Sequence, residues 1–169
     1  PILAELRAWL EGYKDDEERL LLDLQIEHTY LFITARPHVP APPYQSAYHG
    51  RGYLMGEPVS QVLAAYREAG LAMHKDYDAL PDHFSAELEF LSYLIQQELE
   101  AVQAGDMASA ASWLERQNRF LEEHLLQWGP RFLEKVTAGA RKPFYRLMAG
   151  LAGLVLQPEG QPLPMTTQI

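Results

Sequence analysis

A handful of histidines, carboxylates and tyrosines carry whatever chemistry this chain can perform. His83 and Glu87 stand one helical turn apart in "LPDHFSAEL". His124 falls four residues after Phe120 and four before Trp128, on one helix face. Brought together, His83, Glu87 and His124 could exchange protons or grip a metal. Two residues on one turn, however, fall short of a three-ligand site with an ordering shell around it. The chain has no Glu-x-x-His pair of the di-iron bundles, no His-Glu-x-x-His and no Gly-x-Ser-x-Gly elbow around Ser46. No metal is expected.

The least helical stretch is "ARPHVPAPPYQSAYHGRGYLMGE", with four prolines between Pro37 and Pro43. It could serve as a linker, a phosphate loop or part of a binding surface. Gly50, Gly52 and Gly56 miss the dinucleotide spacing, and no Lys-Ser/Thr follows as in a P-loop. Tyr44, Tyr48 and Tyr53 could seal the loop onto the core, or line a groove that is apolar on one side and wet on the other. Asp82 is placed to cap the next helix, which does not explain the histidine beside it. For His124 the plainer reading, a hydrogen-bonded core histidine, outweighs a contact role.

The elements that position these residues read as helices throughout. Ile2, Leu3, Leu6, Trp9, Leu10 and Tyr13 recur at helical spacing, with Gly12 as a stop nearby. "DDEERLLLDLQIEHTYLFI" restarts with acids in its first turn, where the helix dipole favours them, and its broad apolar set (Leu20, Leu21, Leu24, Ile26, Leu31, Phe32) predicts a buried helix. Pro58 opens a third helix that closes at Gly70. In "LPDHFSAELEFLSYLIQQELEAVQAGD" a stripe of Leu88, Leu91, Leu94 or Ile95, Leu99 and Val102 marks the clearest helix, ended by Gly105. Asp106 can cap the next, whose Trp113, Phe120, Leu121, Leu125 and Trp128 point one way until Pro130 forces a kink or a new start. The last helix spans about Pro143 to Leu156, before a polar tail at 157–169 that should fray. No alternating strand pattern appears. The expectation is an all-α protein, a single globular bundle over 1–156 of roughly six to eight helices.

Composition bounds the partners. A net charge of −9 over 169 residues cannot neutralise phosphates and excludes nucleic acid, whereas it suits a basic segment. There is no cysteine, hence no disulfide or thiolate chemistry. The longest uncharged apolar run, Leu147 to Leu156, is too short to cross a bilayer, and Glu5, Arg7 and Glu11 interrupt any secretory pattern.

Taken in order, these segments resemble the TorD/DmsD/NarJ family of molybdoenzyme maturation chaperones. "IEHTYLF" at 26–32 is similar to its "E-Y-x-x-L-F" element, with His28 where an aromatic is commoner. "PAPPYQSAY" resembles "P-P-Y-E-S-V-Y", with Gln45 replacing the frequent acid, and "LMGE" at 54–57 follows at the expected place. "PDHFSAELEF" resembles the Pro-Asp-His signature, "FLEEHLLQWGPRF" its "F-x-x-x-H-L-x-x-W-x-x-x-F", and "KPFYRLMAGLAGLVL" its closing helix. "DHF" and "PFYR" place the likeness nearest the dimethyl-sulfoxide-reductase chaperone branch. Family members carry a further helix or two before the position of Ile2, and this chain opens on Pro1. Absence of such a helix would bare part of the Leu20–Phe32 helix, and a homodimer or exchanged dimer is then expected.

The resemblance implies an all-helical, cytoplasmic protein with no catalytic activity and no cofactor of its own. It implies binding of the twin-arginine signal peptide, and of the catalytic subunit, of a molybdopterin oxidoreductase, held back until cofactor is inserted. The expected signal-peptide surface comprises Pro43, Tyr44, Ser46, Tyr48, Tyr53, Asp82, His83, Glu87, His124 and Trp128. Within it, Asp82 serves as part cap and part anchor for an arginine, and His83 faces the groove. Two other readings stay open: a metal or acid–base enzyme using His83, Glu87 and His124, and a helical adaptor for another basic or apolar segment.

Overall fold

A computed structural model describes residues 2–49, 56–76 and 78–156. Seven α-helices follow one another: α1 (Ile2–Glu11), α2 (Glu17–His28), α3 (Glu57–Glu68), α4 (Phe84–Gln103), α5 (Met107–Phe120), α6 (Leu126–Gly139) and α7 (Pro143–Val155). No strand occurs among the described residues, so the class is all-α as the periodicity predicts. Tyr53 and the frayed tail expected at 157–169 lie outside the described residues.

Local chemistry sets the helix ends. Asp16 accepts the Arg19 N–H at the start of α2, and Asp106 accepts that of Ser109 at the start of α5. α3 stops at Gly70, whose φ of +79° is strained for any residue with a Cβ. Two π-helical turns interrupt the regular spacing, Thr29–Ile33 after α2 and Leu121–Leu125 between α5 and α6. Pro130 sits inside α6 without breaking it.

The contacts divide the chain into two compact units, one comprising Pro1–Pro42 with Phe132–Ile169 and the other Pro43–Arg131. In the first, Leu31, Phe132, Leu133, Val136 and Leu147 form the core. Glu27 is buried there and accepts the backbone N–H groups of Arg141 and Lys142, at the N-terminal end of α7. Hydrogen bonds to a charged group are each worth about 1.5–3 kcal/mol. They fix the rotation of α2 and correct the expectation of a buried helix. With Glu27 turned inward, Leu21, Leu22 and Ile26 are left exposed.

In the second unit Val62, Tyr66, Phe90, Leu91, Leu94, Phe120, Leu125 and Trp128 are buried. Tyr66, Phe90 and Phe120 form a ring cluster, with Phe90 4.6 Å from Tyr66 and 4.7 Å from Phe120. The predicted α4 stripe is only partly core. Leu91 and Leu94 are buried, whereas Ile95, Leu99 and Val102 are exposed, because α4 pairs with α5 through the face carrying Leu94 and Glu98.

Candidate functional site

Prolines keep 40–43 out of a helix, and the chain then runs as a strap beside the turn that enters α4. The two segments are zipped by backbone bonds: Gln45 N–H donates to Asp82 C=O and Phe84 N–H to Pro43 C=O, both at 2.9 Å. Ser46 N–H donates to the Asp82 Oδ2 at 2.7 Å, which starts the short 3₁₀ turn Gln45–Ala47. Tyr44 and His83 face each other as an antiparallel bridge with rings 5.1 Å apart. The structure thus joins, through space, two segments that the sequence separates.

Asp82 is therefore not the cap of α4. That place belongs to His83, whose Nδ1 accepts the Ser85 N–H at 3.2 Å and so leaves the ring proton on Nε2. The one-residue correction has a physical cause: the Asp82 carboxylate is already committed to Ser46. Nor can Asp82 receive an arginine from solvent in this conformation, because Asp82 and Glu87 are both 0% exposed. Pro43, Ser46, Tyr48, His124 and Trp128 are buried as well, so these residues frame the expected surface rather than form it. Tyr44 and His83 remain half-exposed.

Behind the strap lies a polar interior. The Trp128 indole N–H donates to Glu87 Oε2 at 3.1 Å, and the Trp128 ring lies 5.4 Å from a tilted Tyr48 and 5.6 Å from Phe84, which meets it edge-on. Arg131 donates to the Tyr48 carbonyl at 3.2 Å. His124, carried on the second π-helical turn, lies 3.3 Å from the buried Gln45 Oε1. With Nδ1–H as donor, that amide oxygen is satisfied. Burial lowers the His124 pKa, so the ring is neutral at neutral pH. Burial pushes the Glu87 carboxyl up to about 8; the Trp128 N–H opposes this and the nearby Asp82 carboxylate adds to it. Ser46 Oγ, Asp82 Oδ1 and Glu87 Oε1 are buried with no protein partner among the described residues, so polar atoms gather at this point of the interior. His83, Glu87 and His124 do not converge: their bonds run to Ser85, Trp128 and Gln45.

Sequence reasoning missed a groove beside this turn. Tyr66, Leu71, Met73, Ala86, Phe90 and Tyr93 line an apolar trough of about 350 Å³ with Glu89 at its edge. Tyr66 O–H donates to the Pro81 carbonyl at 2.9 Å, tying the trough to the Pro81–His83 turn. Tyr66 and Phe90 follow core periodicity, so their spacing carried no sign of a second, open side.

A family described as nitrate reductase delta subunit matches residues 2–134. Among curated proteins, a chaperone protein TorD from Vibrio cholerae (El Tor strain) is 27% identical over 173 residues, spanning 91% of this chain and 77% of its own. One from Photobacterium profundum is 30% identical over 154 residues, spanning 87% and 69%. One from Vibrio vulnificus strain YJ016 is 31% identical over 147 residues, spanning 83% and 66%. These relatives carry the TorD name and do not single out the dimethyl-sulfoxide-reductase branch.

The polar interior makes stability depend on pH. Glu87 binds its proton more tightly folded (about 8) than its ordinary value of 4.5. Its contribution is thus full at acidic pH and lost as pH rises towards the folded value, with a slope of at most about 1.4 kcal/mol per pH unit. His124 acts in the opposite direction and only below its ordinary value of 6.5. Urea denaturation followed from about pH 6.5 to 9 should show the parent losing stability up to about pH 8 and levelling off above it. Glu87→Gln, which still accepts the Trp128 N–H and cannot ionise, should stay nearly flat. Parallel curves for the two proteins would contradict a buried, protonated Glu87.

Proposed function

This chain belongs to the nitrate reductase delta subunit family, and on that premise we propose that it is a non-enzymatic chaperone of molybdoenzyme maturation. It binds the twin-arginine leader of a molybdopterin oxidoreductase catalytic subunit in the cytoplasm and holds that subunit until its cofactor is inserted. The chaperone name of the relatives supports the general role. No helix among the described residues is long and apolar enough to cross a membrane, which fits a protein that meets its client before export.

The observation that carries the finer reading is the strap zipped to the Pro81–His83 turn, which pairs Tyr44 with His83 and is tied through the Tyr66–Pro81 bond to an apolar trough. A twin-arginine leader has a basic head followed by an apolar stretch. The stretch, as a helix, suits the trough, and exposed Glu89 at its edge attracts the head. Proline-stiffened chain loses little entropy when the peptide docks. The arginine seat thus moves from buried Asp82 to Glu89, and Asp82 holds the strap in place. Self-association is a further part of the proposal, supported by exposed Leu21, Leu22 and Ile26 on α2; a light-scattering mass of a single chain at high concentration would contradict it.

Calorimetric titration of a twin-arginine leader peptide tests the surface. Glu89→Gln should weaken binding roughly tenfold at low salt and much less at high salt, as expected for losing one charge-assisted contact. Tyr44→Ala should weaken it with little dependence on salt. Asp82→Asn keeps an acceptor for Ser46 and should lose less than Glu89→Gln. If Glu89→Gln binds like the parent while Asp82→Asn loses affinity in a salt-dependent way, the arginine reaches the buried carboxylate and the trough is not its seat.

A further inference from the structure

The α4–α5 hairpin has two flanks of opposite character. Gln117 Nε2 donates to Glu98 Oε2 at 2.7 Å and lies 3.4 Å from the Leu94 carbonyl, which sets the antiparallel register of the pair. On one flank α5 meets α3, where Arg116 donates to the Glu68 carbonyl at 2.9 Å and Arg119 pairs with the Glu68 carboxylate at 2.7 Å. In that register Ile95, Leu99 and Val102 of α4 fall on the other flank, together with Met107 and Leu114 of α5. All five are between 44 and 64% exposed. Two adjacent helices thus present a continuous apolar strip, where isolated exposed residues would need no explanation.

Charge decides what the strip can hold. α4 contains no Lys or Arg, and both arginines of α5 are turned to Glu68 on the opposite flank. Exposed Glu115 follows Leu114 directly and exposed Glu122 lies two turns further along the chain, while half-buried Glu98 sits between the helices on Gln117. A second copy would bring the same acids against themselves, which is unfavourable at close range. A segment carrying Lys or Arg beside an apolar stripe meets both the strip and its acidic border.

We infer that the flank formed by Ile95, Leu99, Val102, Met107 and Leu114 is a docking surface for an amphipathic helix with basic borders, on a protein partner. It is separate from the strap and trough and does not depend on the leader reading. Binding there leaves the leader surface open, so one partner can be held at two places, where linkage raises overall affinity.

The probe is a synthetic Leu/Lys amphipathic helix of about four turns, titrated into the full chain by fluorescence anisotropy. Methyl NMR shifts locate it. The expected result is shifts at Ile95, Leu99, Val102 and Leu114, unchanged by saturating leader peptide. Affinity should fall about tenfold in Leu99→Ser/Leu114→Ser, and by a similar factor in Glu115→Lys/Glu122→Lys at low salt. All four positions are exposed, so the variants should retain the parent's circular dichroism. Shifts confined to Tyr44 and the trough, displacement by leader, or unchanged affinity in both variants would each overturn the inference. So would concentration-dependent dimerisation that the Leu99→Ser/Leu114→Ser variant abolishes, because a second copy would then occupy the strip.

Discussion

The carboxylate of Asp82 is buried, pairs with no cation among the described residues, and holds a strap from another part of the sequence through one short bond to the Ser46 N–H. A buried charge is tolerated only where hydrogen bonds replace its hydration. That requirement fixes the strap: Pro43, Gln45 and Ser46 must meet Asp82 and Phe84 in register for the carboxylate Oδ2 to find its N–H donor. Everything at the candidate site follows from this alignment. Tyr44 is brought opposite His83, His83 is left to cap α4, and the Pro81 carbonyl is offered to Tyr66 beside the trough.

One helical turn along α4, Glu87 meets a related problem with a different solution. It keeps its proton, because burial and the neighbouring Asp82 both disfavour a second charge. Its bond to Trp128 links α4 to the helix that carries His124, and His124 returns the connection to the strap through Gln45. The π-helical turn at Leu121–Leu125 carries that ring between α5 and α6. Such turns are frequent at functional sites; here it serves a polar circuit of strap, α4 and α5–α6 that closes on itself within one unit.

Much of the fold was legible because its stops are chemical. Gly70 and Gly105 take positive φ, Asp106 caps α5 and Pro58 sits in the first turn of α3, each as its residue type demands. The residues of the site were legible too, mainly through the family resemblance, but their exposure was not. By residue type Asp82 is the better cap, but a bond to a residue 36 positions away takes its carboxylate and leaves the place to His83. Apolar spacing shows that Ile95, Leu99 and Val102 share a face, yet nothing in it says whether a neighbour covers that face. Gln45 passed as a mere replacement for a commoner acid, since an amide among aromatics gives no signal of the histidine it will meet. Glu27 was visible only as part of a motif, and its work at the start of α7 belongs to tertiary structure.

The central claim is that the strap bonded through Asp82 presents Tyr44 and His83 beside the trough as the leader-binding surface. Photo-crosslinking addresses it most directly. A leader peptide carrying a photoreactive phenylalanine just after its arginine pair would be irradiated in complex with the full chain and the adducts mapped by mass spectrometry. Adducts on Tyr44, His83 and the trough residues Met73, Glu89 and Tyr93 are predicted. Adducts confined to α1, α2 and α7, or to the Ile95–Val102 face of α4, would contradict it.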